Sequence, residues 1–367
     1  MSKSFFQIII KALVGSIAAI VGLVGTFVIL IIVLVAVAVH KVDWQAQMGP
    51  GVLMPQFVSG NQDSQNQLLE IPVSGLILGE RQEGDFLQAL GGYDLTYGYE
   101  VKEQLRQASQ MEQIKGVILN IQSPGGTVFG SKAIVDGIRE YQETTSQPVL
   151  AYVGSVAASG GYWVASAADW IMADAGTTLG SIGVIAGPFK YYDQVLSEDG
   201  GAFLGGIVTQ GGIESTYITA GQSKDLGNPY RRLTESEVAV LQTGVNNSYS
   251  YFVDDVAQGR KLESEFIRNQ VRALVYDEQQ AKELNLIDQV GSKQDAEAEL
   301  AQLATLGNNY QVVKDAGSSS LLGDFGVALK NWSGFTANNS NSTQNFKVCS
   351  LVNLPLAYHG DTSLLCP

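Results

Sequence analysis

Histidine is nearly missing from this sequence: the 367 residues contain two, His40 beside a long apolar run and His359 near the end, and neither lies near a motif. That argues against a Ser-His-Asp arrangement and against a histidine-based metal site in the folded region. Cysteine is as scarce, with Cys349 and Cys366 both close to the end. A cysteine-free core with one terminal pair suits an oxidising compartment and a single tail disulfide, and equally two free thiols. Without clustered His or Cys, no metal is expected. Basic residues number 22 against 36 acidic ones, a formal net charge of -14. No basic patch is available to neutralise phosphates, so nucleic acid is not an expected partner. The glycine-rich segments lack a Walker lysine, so no nucleotide cofactor is expected either. No tandem repeat at solenoid periods is present.

Charge is also absent from Ala12 to Val39. A helix of that length reaches ~42 Å, more than the ~30 Å hydrocarbon layer, so it can span a bilayer with tilt. The rival reading is a cleaved signal peptide processed near Ala36-Val37-Ala38, whose apolar region should be only ~7 to 15 residues long. Lys3 and Lys11 precede the span and Lys41 is offset by Asp43, which places the N-terminus in the cytoplasm and the rest outside. Residues 1–41 are therefore expected to be a cytoplasmic stub and membrane anchor. The Gln-, Gly-, Asn- and Ser-rich stretch 42–67 reads as a juxtamembrane linker, 68–306 as the folded domain, and 307–367 as a flexible tail.

Within the folded domain, apolar runs at 68–78, 116–122 and 148–153 read as strands. Helical patterns at 99–111 and 128–144 lie between them. This alternation predicts an α/β fold with parallel strands joined by right-handed crossovers, and functional loops at the strand carboxyl ends. Gly200 to Gly212 reads as an inserted hairpin or mobile loop, and Ser215 to Thr219 as a strand. Thr234 with Glu237 forms a capping box that opens a helix to about Gly259. Shorter helices follow at 263–272, 277–284 and 293–303, with a closing strand at 286–290.

The chain is organised around Gly154 to Asp169, GSVAASGGYWVASAAD. A strand ending near Gly154-Ser155 followed by small, helix-compatible residues puts Ser159 near a strand-to-helix junction. Two glycines follow it, so backbone can approach a ligand closely and the first N–H groups of the helix have no internal partner. With Gly125 and Gly126 of the predicted turn Ser123-Pro124-Gly125-Gly126, the Gly160 N–H could stabilise an oxyanion on a carbonyl attacked by Ser159. The same residues are also readable as a Gly-Ser turn before a buried helix. Activation requires a base, and a lysine can serve if desolvation lowers its pKa from ~10.4 to about 7 or 8. Lys224 follows a strand candidate and Gly221 in a segment poor in charge; Lys190 lies among tyrosines, over which its stem can pack. On spacing alone, either is also readable as a solvated surface charge. Val128, Phe129, Tyr162 and Trp163 are candidates for lining an apolar groove beside Gly125, and are equally readable as core.

Four ordered motifs, Ser123-Pro124-Gly125-Gly126, Gly154 to Tyr162, Leu179 to Val184 and Gly221 to Asp225, resemble the signal peptide peptidase A family (protease IV and SohB-like proteins) in its half-length form. The likeness covers roughly residues 70–300. It implies a ClpP/crotonase-like fold behind an N-terminal transmembrane helix, and a membrane-anchored serine endopeptidase that hydrolyses peptides, remnant signal peptides among them, with a Ser/Lys dyad. By the same resemblance Ser159 is the nucleophile, Lys224 the base, Gly126 and Gly160 the oxyanion donors, and Ser181 orients the lysine. It further implies a ring-shaped homo-oligomer whose sites join Ser and Lys of neighbouring subunits. The location implied is a prokaryotic inner membrane, single-pass, with the catalytic domain on the extracytoplasmic (periplasmic) side. The chain departs from the family at Gln122, where Asp is usual, and around Tyr276-Asp277. An acyl-CoA hydratase-like enzyme and a non-catalytic membrane scaffold are the rival readings.

Overall fold

A computed structural model describes residues 53–81, 94–189, 191, 218, 220–228, 231–316 and 356–358. The expected membrane span, Lys190, the Gly200 to Gly212 insertion, most of the 215–219 strand candidate and both cysteines lie outside these residues. Among the described residues no helix is long and apolar enough to cross a membrane.

The described chain is a mixed α/β structure around one sheet. In chain order the elements are β1 (Pro55–Gly60), β2 (Gln67–Leu78), β3 (Leu95–Tyr97), α1 (Gly98–Ala108), β4 (Ile114–Thr127), α2 (Val128–Thr145), β5 (Val149–Ala158), α3 (Gly160–Ser166), β6 (Trp170–Ala173) and β7 (Thr178–Gly180). There follow α4 (Glu235–Arg260), α5 (Ser264–Phe266), a π-helical turn (Ile267–Val271), β8 (Val275–Asp277), α6 (Glu278–Glu283), β9 (Gln289–Val290), α7 (Lys293–Leu303), β10 (Gln311–Asp315) and β11 (Leu356–Tyr358). The sheet runs β1-β10-β2-β4-β5-β6-β9, with β3 on β2, β7 on β5 and β8, and β11 on β4. From β10 to β9 the neighbours are parallel, while β1 lies antiparallel to β10.

Strands covered on both faces read as continuous apolar runs, because alternate side chains serve opposite cores. Val117, Leu119 and Ile121 of β4, with Val149, Ala151 and Val153 of β5, meet Val101 and Leu105 of α1, Ile134 and Ile138 of α2, and Phe252 and Val256 of α4. Ile118, Leu150 and Tyr152 point the other way, toward Ala296, Leu300 and Ala301 of α7. Each such aliphatic side chain contributes ~1.5–3 kcal/mol by leaving water.

Helix α4 starts where the capping box requires. Thr234 Oγ1 accepts from Glu237 N–H at 3.2 Å, and the Glu237 carboxylate accepts from Thr234 N–H at 2.8 Å. Its far half is clamped to α2 and α3. Asp255 accepts from Arg139 at 2.7 Å and from the Trp163 indole N–H at 2.8 Å. Trp163 also stacks on Phe252 with centroids 4.6 Å apart. Close approach here needs Gly259, since a Cβ on it would lie 1.8 Å from the Ser166 carbonyl O.

Three expectations are corrected. The linker read over 42–67 contains β1 and the first residue of β2, because β1 finds an antiparallel partner in β10. The tail read over 307–367 contributes β10, inserted in parallel beside β2, and β11. The glycine-rich segments after residues 122 and 154 are not turns: β4 continues to Thr127 and β5 to Ala158. Strand β5 continues because it changes partner, pairing Leu150–Val153 with β6 and Val156–Ala158 with β7.

Candidate active site

Ser159 stands between the last residue of β5 and the first of α3, with φ 52° and ψ -119°, a conformation rarely adopted by residues other than glycine. Two bonds hold the bend: Ser159 N–H donates to the Gly180 carbonyl at 2.8 Å, and Trp163 N–H donates to the Ser159 carbonyl at 2.9 Å. Gly180 belongs to β7, which β8 anchors in turn; Ser181 N–H donates to Leu274 O at 2.6 Å. Ser159 is 1% exposed, and its hydroxyl donates to the Gly183 carbonyl at 3.3 Å. The segment 180–183 thus holds both the backbone and the side chain of the candidate nucleophile. Ser181, itself buried and at φ 54°, sits within that segment.

Glycine is required where α3 rests on β4. A Cβ on Gly160 would fall 2.3 Å from Ser131 Oγ, and one on Gly161 2.5 Å from the Ser123 carbonyl O. Gly125 adopts φ 102°, and a Cβ there would lie 2.7 Å from the Gly160 amide N. Gly125 and Gly160 therefore pack against each other with no side chain between them, next to Ser159, and the atom nearest that Gly125 Cβ position is Ala357 O at 2.1 Å. The Gly125 N–H donates to Ser123 Oγ at 3.0 Å, so this amide is already partnered. The Ser123 hydroxyl in turn donates to Gly75 O at 2.6 Å. Gly126 packs so closely on β2 that a Cβ would come within 2.0 Å of Ile77 O.

Of the groove candidates, Val128 is partly buried against the core and Phe129 is exposed at the start of α2, its ring against Gly79 at the end of β2. Tyr162 does not line a groove. It is wholly buried, with its hydroxyl donating to Leu286 O at 2.8 Å, and burial pushes its phenol pKa up. Trp163 is core as well. The seven-residue helix α3 is buried on every side, so helical periodicity cannot separate a groove face from a core face. Ser123 and Gly183 lie inside two of the quoted motifs without an expected role and Ser131 lies outside them, because what each does here depends on strands and loops distant in sequence.

Lys224 lies in the turn 221–227, is exposed, and makes no ion pair among the described residues. Its N–H donates to Gly221 O at 3.3 Å. The turn is tied to the start of α4 through Arg231, whose guanidinium donates to Asp225 at 2.7 and 2.8 Å and to Glu237 at 2.8 and 2.9 Å. That guanidinium holds Asp225 down at about 2, and with the Thr234 amide holds Glu237 below the usual carboxylate range. Depressed carboxylates stabilise the fold fully above their ordinary pKa and lose the contribution as pH falls through the folded value, here from 3.8 toward about 2 for Asp225. Arg231→Gln is accordingly expected to speed amide hydrogen exchange in 221–228 at neutral pH while exchange in β4 and β5 is unchanged. Equal exchange in the two proteins would show that the turn is held by something else. Among the described residues no group of His, Cys, Asp or Glu is arranged to hold a metal ion.

Fold and site together define a mixed α/β protein with a buried, conformationally strained serine beside closely packed glycines. Residues 142–307, which include Ser159, Ser181 and Lys224, match the model of Peptidase family S49. The "Putative protease MJ0651" of Methanocaldococcus jannaschii is 35% identical over 197 residues, 54% of this chain and 58% of that one. "Putative signal peptide peptidase SppA" of Enterococcus faecium is 31% identical over 193 residues, covering 53% and 52%. "Protease 4" of Haemophilus influenzae is 28% identical over 221 residues, covering 60% and 34%. The Peptidase family S49 match and these relatives support a likeness to the SppA-like family. It spans about half the length of the first two of these curated relatives.

Proposed function

We propose that the chain is a serine peptidase of the SppA type, with a ClpP/crotonase-like fold anchored by the segment before residue 42, and that it hydrolyses apolar peptides, remnant signal peptides among them, outside the cytoplasm. One observation carries the reading: Ser159 is fixed in a strained conformation with the Gly160 amide and the side-chain-free backbone of Gly125 beside it. Such strain persists only where the surrounding structure imposes it, and it concentrates at functional sites.

In this mechanism Ser159 Oγ attacks the carbonyl carbon of an extended peptide, and its proton passes to Lys224. The Gly126 and Gly160 amides stabilise the oxyanion. The amine leaving group takes the proton, and water hydrolyses the acyl-enzyme. Within one chain the Ser159 hydroxyl donates to Gly183 O, and Lys224 is exposed. The reading therefore takes Lys224 from a neighbouring copy in a ring, where the contact also supplies the desolvation a basic lysine needs. Ser181 lies beside Ser159 and is the side chain assigned to orient that lysine.

The same exposed Lys224 also favours the second reading, a non-catalytic scaffold, which a covalent probe separates from the first. An apolar peptidyl phosphonate is expected to label wild type at Ser159 and to leave Ser159→Ala unlabelled. Unlabelled wild type would favour the scaffold, and label on another residue would move the nucleophile.

A further inference from the structure

Where β4 reaches the site it falls out of step with both of its neighbours. Against β2 the register shifts between the pairs Gln122–Ser74 and Gly125–Leu76, and against β5 between the pairs Ile121–Val153 and Ser123–Ala157. Pro124 lies in the shifted stretch and has no N–H to give to a ladder. The Ser123 side chain takes over there. Ser123 is 0% exposed, and its hydroxyl donates to Gly75 O of β2 at 2.6 Å while accepting from the Gly125 N–H at 3.0 Å. One proton and one lone pair thus bridge the two backbones as a buried water would. Gly75 and Gly125, the two residues joined, both take positive φ, 66° and 102°. Glycine has no Cβ to restrict its backbone, so the bridge supplies the restraint that a side chain supplies elsewhere.

Both amides assigned to the oxyanion lie next to groups that Ser123 holds. The Gly126 N–H belongs to the peptide that begins at Gly125, and the peptide before it is pinned through the Gly125 N–H. On the other side the Ser123 backbone supports α3: a Cβ on Gly161 would fall 2.5 Å from Ser123 O and 3.3 Å from Ser123 Cβ. Gly161 directly follows Gly160. We propose that Ser123 is a positioning residue of the peptidase site, whose hydroxyl holds the Gly125-Gly126 peptide so that the Gly126 amide faces the oxyanion. The proposal rests on the peptidase reading and adds a residue to its machinery. Ser123 acts through the backbone and exchanges no proton with the substrate. Donors fixed in advance need no reorganisation as charge develops, so the bridge serves the transition state more than the bound substrate.

Steady-state kinetics on the full chain in detergent test the proposal, with an apolar fluorogenic peptide as substrate and the matching peptide aldehyde as inhibitor. The aldehyde's adduct with Ser159 places an oxygen where the oxyanion forms. Ser123→Ala is expected to lower kcat by about 10^2 to 10^3-fold, the scale of one lost oxyanion donor, with KM little changed. The aldehyde's inhibition constant should rise by a similar factor. Ser123→Ala also leaves two buried backbone groups without their partner, so its melting temperature falls. Ile118→Val, in the second core on the opposite face of β4, lowers the melting temperature too and is expected to keep kcat, which separates positioning from stability. Ser123→Cys keeps a weaker bridge and should lose kcat by a smaller factor; it carries the test if the alanine variant does not fold, and full kcat in it overturns the proposal. Unchanged kcat in Ser123→Ala, or a loss confined to KM, overturns the proposal and leaves the peptidase reading standing. A lower kcat with aldehyde affinity intact overturns it as well, since the loss then lies elsewhere than at the oxyanion. Wild type without peptidase activity overturns the reading and the proposal together.

Discussion

Ser159→Ala is expected to lower kcat/KM for an apolar fluorogenic peptide by about 10^6-fold, the scale on which loss of a nucleophile registers. The fold should survive it. The side chain's bond is a 3.3 Å contact to Gly183 O, and losing it costs about 0.5–1.5 kcal/mol. Ser159→Gly separates chemistry from strain: it is equally inactive, yet relieves the φ of 52° and should be more stable than Ser159→Ala by about 1 kcal/mol. Peptidase activity retained in both variants would remove Ser159 from the mechanism. Ser159→Gly less stable than Ser159→Ala would show that the bend is not strained.

Lys224→Ala is expected to reduce kcat by about 10^2 to 10^4-fold with a smaller change in KM, the range of a general base acting in the transition state. Lys224→Arg should not restore activity, since a guanidinium does not give up its proton. The residue is exposed and makes no ion pair among the described residues, so thermal stability should be unaffected in both variants. Full activity in Lys224→Arg would make the side chain an electrostatic contact instead of a base.

Much of the architecture could be read from residue order. The buried runs of β2, β4 and β5, the capping box at Thr234 and Glu237, and Ser159 at a strand-to-helix junction all depend on short-range pattern, and the structure places them there. What could not be read depends on partners distant in sequence. Ser123 to Gly126 has turn composition, yet it continues as strand because β2 pairs with it as far as Gly126, with a register shift at Ser74 to Leu76 and Gly125 taking a positive φ. Strands β1 and β10 each look like linker alone and become strands by pairing across more than two hundred residues. Strand β11 is three residues long, below anything periodicity can detect. For Tyr162 and Trp163 residue type leaves groove and core both open, and the enclosure of α3 on every side puts them in the core.

In the proposed mechanism Ser159 of one copy works with Lys224 of its neighbour. Co-assembling Ser159→Ala with Lys224→Ala chains, each inactive alone, tests it most directly. A site shared between neighbours regains activity in the mixture, approaching about a quarter of wild type for random equal mixing in a closed ring. A mixture no more active than its separate components would contradict the claim.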